Sequence, residues 1–254
     1  MREQIHTIPI NDAMGNAGEC PFCYIEKRTE EHAMDFVLGH GASYMEADIR
    51  EMTDKEGFCR THFKKMFDYG NALGNAWILK THYMRLIDEM QKEFKHFTPG
   101  KSAKKGGLFK KEPSSPNSIT SWINEKECSC FICNNVNRTF KDYMNTFFQM
   151  YKKDADFRKH VAETKGFCLS HFGILCEEAD ATLSGKELED FYATVLPLME
   201  KNMDRMYEDI AWFIEKYDYK NKDADWKTSR DAIQRGMQKI KGSDPSLPAY
   251  QLKK

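Results

Sequence analysis

Nowhere in the 254 residues do about 18 apolar side chains follow one another, so no helix is expected to cross a membrane. The opening Met1-Arg2-Glu3-Gln4-Ile5-His6 lacks the apolar run of a secretory signal, and a cytoplasmic location is expected. A net charge of -1 provides no global field for nucleic acid. No run of alternating β-branched residues is long enough to build a sheet. P-loop, G-x-G-x-x-G, H-E-x-x-H and G-x-S-x-G patterns are all missing, which argues against the common enzyme classes. With 8 Pro and 15 Gly the chain is too poor in both for collagen, and its 41% hydrophobic and 13% aromatic content excludes disorder. What remains is a soluble globular chain whose 30% charged residues and mean hydropathy of -0.69 describe a wet surface.

Cysteine is the residue this chain does not lack. In a reducing compartment its 8 cysteines read as metal ligands, redox groups or core packing rather than a disulfide framework. They also fall in a pattern. Cys20-Pro-Phe-Cys23 is followed by Gly57-Phe58-Cys59-Arg60-Thr61-His62-Phe63, and Cys130-Phe-Ile-Cys133 by Gly166-Phe167-Cys168-Leu169-Ser170-His171-Phe172. With 35 residues between Cys23 and Cys59 and 34 between Cys133 and Cys168, the same ligand types recur in the same order. This is an internal repeat.

Around the motifs the apolar spacing is helical, and the fold expected is all-α. Phe63, Met66, Phe67, Leu73, Trp77, Tyr83, Ile87, Met90 and Phe94 predict one long helix, bent near Gly70 or Gly74. Phe140, Tyr143, Met144, Phe147, Phe148 and Tyr151 form a second stripe, and Leu188, Phe191, Val195, Met199, Met206, Ile210, Phe213 and Tyr217 a third. Ser184-x-x-Glu187 reads as a capping box for the last, and Pro197 as its kink. From Asp225 to Lys241, Trp226, Ile233, Met237 and Ile240 predict a further helix. The organisation expected is a first repeat over 1–98, a basic Gly/Pro/Ser/Lys linker over 99–117, a second repeat over 118–222 and a C-terminal helix with a flexible tail over 223–254.

Each repeat offers three thiols and one imidazole, the usual supply for a tetrahedral zinc ion. The expected sets are Cys20, Cys23, Cys59 and His62 in the first repeat, and Cys130, Cys133, Cys168 and His171 in the second. Each would staple a short helical segment to a long helix across its own spacer. In each second pair the Cys and His stand three apart at a helix start, where the helix N-terminus favours thiolate. The preceding glycine suits the turn into that helix, and the neighbouring phenylalanines would keep water off the sulfurs. Zinc is the ion expected; an iron-sulfur centre on the same ligands is the variant. Four protein ligands leave no position for a reactive water, which again points away from an enzyme.

The alternative is redox chemistry. Cys20-Pro-Phe-Cys23 alone looks like a glutaredoxin active site, and a zinc-thiolate switch that loses metal on oxidation is a related variant. Against it stand the missing βαβ unit and the second copy, which changes Pro-Phe to Phe-Ile and keeps its distant Cys-x2-His. Cys176 reads as a core thiol and Cys128, aligned with Gly18, as an exposed one without a counterpart. His32, His40, His82, His96 and His160 have no partner at ligand spacing and are expected at the surface or at caps. Lys101, Lys104, Lys105, Lys110 and Lys111 around Phe109 could meet phosphates, but without a basic helix face they read as a solvated tether. A protein is the partner expected.

The paired C-x2-C and G-F-C-x2-H motifs resemble a family of uncharacterised bacterial proteins, classed as a domain of unknown function. The resemblance covers most of residues 1–220 and takes in Thr7-Ile8-Pro9-Ile10-Asn11 and Tyr44-Met45-Glu46. It implies no established activity. Some members carry transporter substrate-binding names, a label that the absent secretion signal and α/β pattern argue against here.

Overall fold

The computed structural model describes residues 6–16, 18–41, 43–98 and 117–242. Among them there is no strand, and the fold is all-α. The helices are α1 (Ile8–Gly15), α2 (Pro21–Leu38), α3 (Ala47–Glu56), α4 (Arg60–Tyr69), α5 (Ala72–His96), α6 (Ser118–Glu127), α7 (Phe131–Lys153), α8 (Ala155–Glu163), α9 (Leu169–Thr182), α10 (Lys186–Glu215) and α11 (Ala232–Lys241). The two spacers of the sequence repeat are thus helical: α2 and α3 fill the first, α7 and α8 the second. The basic linker with its lysines lies outside the described residues, apart from Asn117, as does the C-terminal tail.

The chain divides into two compact units, and they do not follow the sequence repeat. Among the described residues, one comprises 6–29 and 137–242 and the other comprises 30–136. The boundaries fall inside α2 and α7. In the first unit, aromatic side chains at helical spacing on α7 build the core, as the sequence stripe predicts. Phe140, Phe147 and Phe148 are buried with Phe22, Phe157, Phe167 and Phe191. Phe22 meets Phe140 at 5.6 Å and Phe147 at 5.4 Å edge-on, and stacks on Phe167 at 5.3 Å. In the second unit Met34, Val37 and Leu38 pack with Phe58, Met66, Ile78, Phe131 and Ile132.

Four local expectations are corrected. Residues 60–96 are two helices rather than one bent helix: Gly70 closes α4 at φ 82, a left-handed value, and the Asn71 side chain caps α5 by accepting from Gly74 N–H at 2.9 Å. The apolar stripe read there is only partly core. Met66 is buried, whereas Phe67, Leu73, Trp77, Tyr83, Ile87 and Phe94 are exposed; Ile78, outside the stripe, is the apolar side chain that α5 buries. The Ser184/Glu187 capping box does not form; Gly185 takes the N-cap position of α10 without a side-chain bond, and the helix continues through Pro197. The helix expected from 225 begins only at Ala232, and it buries Ala232, Gly236 and Lys239 while Ile233, Met237 and Ile240 face outward.

Candidate metal centres

All four ligand pairs occupy the first turn of a helix. Cys20 precedes α2 and Cys23 lies in its first turn; Cys130 and Cys133 stand in the same way on α7. Cys59 and Cys168 are the N-caps of α4 and α9, with His62 and His171 three residues on. Unpaired N–H groups and the helix dipole therefore point at the sulfurs. His171 N–H reaches Cys168 Sγ at 3.5 Å, and Cys133 N–H reaches Cys130 Sγ at 3.5 Å. The sharp entry is made by Gly57 at φ 62 and Gly166 at φ 72, values that favour glycine. A Cβ would also collide, at 2.8 Å from the His82 ring in one case and at 3.0 Å from Met199 Sδ in the other.

The eight residues form two clusters, but the pairing expected from the sequence is overturned. Cys20 and Cys23 gather with Cys168 and His171, while Cys130 and Cys133 gather with Cys59 and His62. Each repeat lends its C-x2-C to the Cys-x2-His of the other. Each cluster lies wholly within one compact unit. The physical reason is that every motif is a helix N-terminus, and which two termini meet is decided by core packing rather than by spacing along the chain.

In the first cluster Cys23 Sγ is 3.7 Å from Cys168 Sγ, and His171 Nδ1 is 3.4 Å from Cys20 and Cys23 and 3.2 Å from Cys168. In the second, Cys59 Sγ is 3.9 Å from Cys133 Sγ, and His62 Nδ1 is 3.2 Å from Cys59 and Cys130 and 3.4 Å from Cys133. A tetrahedral ion with Zn–S and Zn–N bonds of ordinary length separates two sulfurs by about 3.8 Å and a sulfur and a nitrogen by about 3.6 Å. The S–S edges of 3.7 and 3.9 Å bracket that value, and the S–N edges are shorter than theirs by about 0.2–0.4 Å. The other imidazole nitrogen is engaged by a carboxylate in each: His62 Nε2 with Glu30 at 2.8 Å and His171 Nε2 with Glu26 at 3.2 Å. This arrangement fixes the ring and leaves Nδ1 facing the sulfurs. Sequence reasoning missed both glutamates, which lie one and two turns beyond Cys23 on α2.

The protonation pattern shows what such a cage lacks on its own. Burial works against charge on His62 and His171. Hydrogen bonds to Cys130 and Glu30 nevertheless push His62 up to about 10, and those to Cys168, Cys20 and Glu26 push His171 up to about 12. The thiols split: Cys130, despite its burial, is drawn down to about 6 by His62, and Cys133 is pushed up to about 12 by burial and the Cys130 charge. In the other cluster Cys168 goes down through hydrogen bonds from Cys20 and Cys23, and Cys23 goes up for the same contact. Three sulfurs this close cannot all ionise beside one imidazole. A divalent cation at the centre removes that conflict.

The remaining candidates are placed more simply. All eight cysteines are free. Cys128 is exposed at the end of α6; Cys176 is half-buried, with its thiol raised by burial. His82 holds the first G-F-C turn by bonding Asp54 O through Nδ1 at 2.8 Å. No helix among the described residues is long and apolar enough to cross a membrane.

An all-α protein with two four-ligand Cys/His clusters, each set at two helix N-termini, is the class that this geometry defines. The chain belongs to the family described as a family of unknown function (DUF6062), whose model matches residues 1–246. No curated protein and no solved structure matches it.

Proposed function

We propose that each cluster binds one zinc ion through four protein ligands and that the protein is a non-enzymatic binding or scaffold module, working in the cytoplasm with a protein partner. The observation that carries the reading is that three sulfurs and one imidazole nitrogen converge in each of two separate clusters. All four ligand atoms of a cage lie within 4.8 Å of one another, which suits a single ion better than a cluster of irons that spreads its thiolates over several metal atoms. With every coordination position supplied by the protein, the centres are suited to holding helices together rather than to activating water. Free thiols throughout suit a reducing compartment. The exposed apolar side chains along α5 support a protein rather than a nucleic acid as partner.

The test is elemental analysis of protein purified without added metal, with helix melting before and after chelation. Two zinc ions per chain and a melt that collapses on chelation are expected. Metal-free protein with a reversible Cys20–Cys23 disulfide would overturn the reading in favour of thiol-disulfide chemistry.

A further inference from the structure

The two centres have the same ligand types and differ in what closes them. In the Cys20 centre the closing element is α11. Lys239, 1% exposed, donates to Glu19 O at 3.3 Å and to Lys165 O, so one ammonium joins the chain just before the C-x2-C to the chain just before Gly166-Phe-Cys168. The fully buried Glu19 carboxylate is held in turn by Arg205 and Arg235. Gly242, ending α11 at φ 83, lies against the sulfurs, where a Cβ would be 3.3 Å from Cys168 Sγ and 3.5 Å from Cys23 Sγ.

In the Cys59 centre the same tie is made by backbone alone: Phe131 N–H donates to Gly57 O at 2.9 Å. The first copy has Pro21 where the second has Phe131 and so has no N–H to give. Lys239 ties the two stretches together from outside the repeat instead, at Glu19 O and at Lys165 O, one residue before Gly166. The second copy has Ser129 in place of Glu19. The two centres differ in burial: all four residues of the Cys20 centre are buried, while Cys59 and Cys133 are partly exposed.

We propose that the Cys59–His62–Cys130–Cys133 centre is an exchange site for a thiophilic divalent ion, and that α11 locks the other centre shut. The proposal rests on the metal-binding reading above. An acceptor thiol meets the ion at the open edge: its sulfur bonds the metal as the bond to Cys59 or Cys133 breaks, and the released cysteine takes the proton the acceptor gave up. The reactive thiols are therefore not those of Cys20-Pro-Phe-Cys23, whose sequence most resembles a redox motif.

Native mass spectrometry of the full-length zinc-loaded protein, challenged separately with EDTA and with N-ethylmaleimide, tests this. Maleimide bonds a thiolate sulfur to one alkene carbon while the other takes a proton from water, so each adduct marks a reachable sulfur. One ion should leave at least about tenfold faster than the other. Beyond the exposed Cys128 and the half-buried Cys176, which belong to neither centre, the first adducts should map to Cys59 and Cys133. Lys239→Met should hasten only the slow phase; should that variant not fold, the wild-type labelling order decides. A single release phase for two bound ions, or early labelling of Cys20 and Cys23, would overturn the exchange site while leaving metal binding intact. Protein that carries no metal would overturn both.

Discussion

Glu30 shows how much a single side chain outside the ligand set can contribute. It receives His62 Nε2 at 2.8 Å and Lys65 Nζ at 2.5 Å, so both imidazole and carboxylate are fixed. Glu26 meets His171 at 3.2 Å with its side chain 45% exposed, a looser arrangement. Glu30→Gln should therefore lower metal affinity at its centre by about tenfold to a hundredfold, and Glu26→Gln by less, as read by chelator competition. Burial pushes the Glu30 carboxyl up, but His62 and Lys65 outweigh it and hold it below the usual range. A depressed folded value means a contribution complete above about pH 4.3 and lost as pH falls through the folded value. Glu30→Gln should flatten that part of an acid titration of stability. The ligands themselves were legible because they repeat at fixed spacing. These glutamates were not, because on a helix full of charge nothing local separates a carboxylate that holds an imidazole from one in solvent.

At the scale of the element, α11 is where sequence pattern misleads and structure corrects. Ile233, Met237 and Ile240 mark an apolar face by spacing, yet the buried face is Ala232, Gly236 and Lys239. Gly236 allows close approach to α10, where a Cβ would come within 2.8 Å of Ile210 Cδ1. Lys239 is drawn inward by two backbone carbonyls, those of Glu19 and Lys165. The pattern cannot show this, since the acceptors are about 75 and 220 residues away in sequence. Lys239→Met keeps much of the volume and removes the donor, leaving the Glu19 and Lys165 carbonyls short of a partner. It should cost about 1–3 kcal/mol in denaturant unfolding of the metal-loaded protein. Gly242→Ala should cost about 1 kcal/mol through its left-handed backbone alone, with added crowding of the Cys168 and Cys23 sulfurs. Both variants should leave the Cys59 centre's metal affinity unchanged. Equal weakening of the two centres would argue that α11 acts on global stability instead.

For the molecule as a whole, the all-α class and the eight residues that cluster could be read from the chain, whereas the pairing of half-sites could not. Pairing within each repeat would span about 35 residues, but the observed contacts join Cys23 to Cys168 across 145 residues and Cys133 to His62 across 71. Loop closure grows only as the logarithm of length, so the exchange costs about 1.2 kcal/mol in one centre and about 0.6 kcal/mol in the other. Against roughly 10–16 kcal/mol for a structural zinc site, that difference cannot enforce local pairing. Packing decides instead, through contacts such as Phe22 on Phe167 in one unit and Phe131 N–H on Gly57 O in the other. Paired alanine variants distinguish the two arrangements without any functional assay. Cys20→Ala with Cys168→Ala damages one cage and should leave one tightly bound metal per chain; Cys20→Ala with Cys59→Ala damages both and should leave none. Pairing within repeats demands the reverse, so elemental analysis of the two double variants decides which half-sites meet.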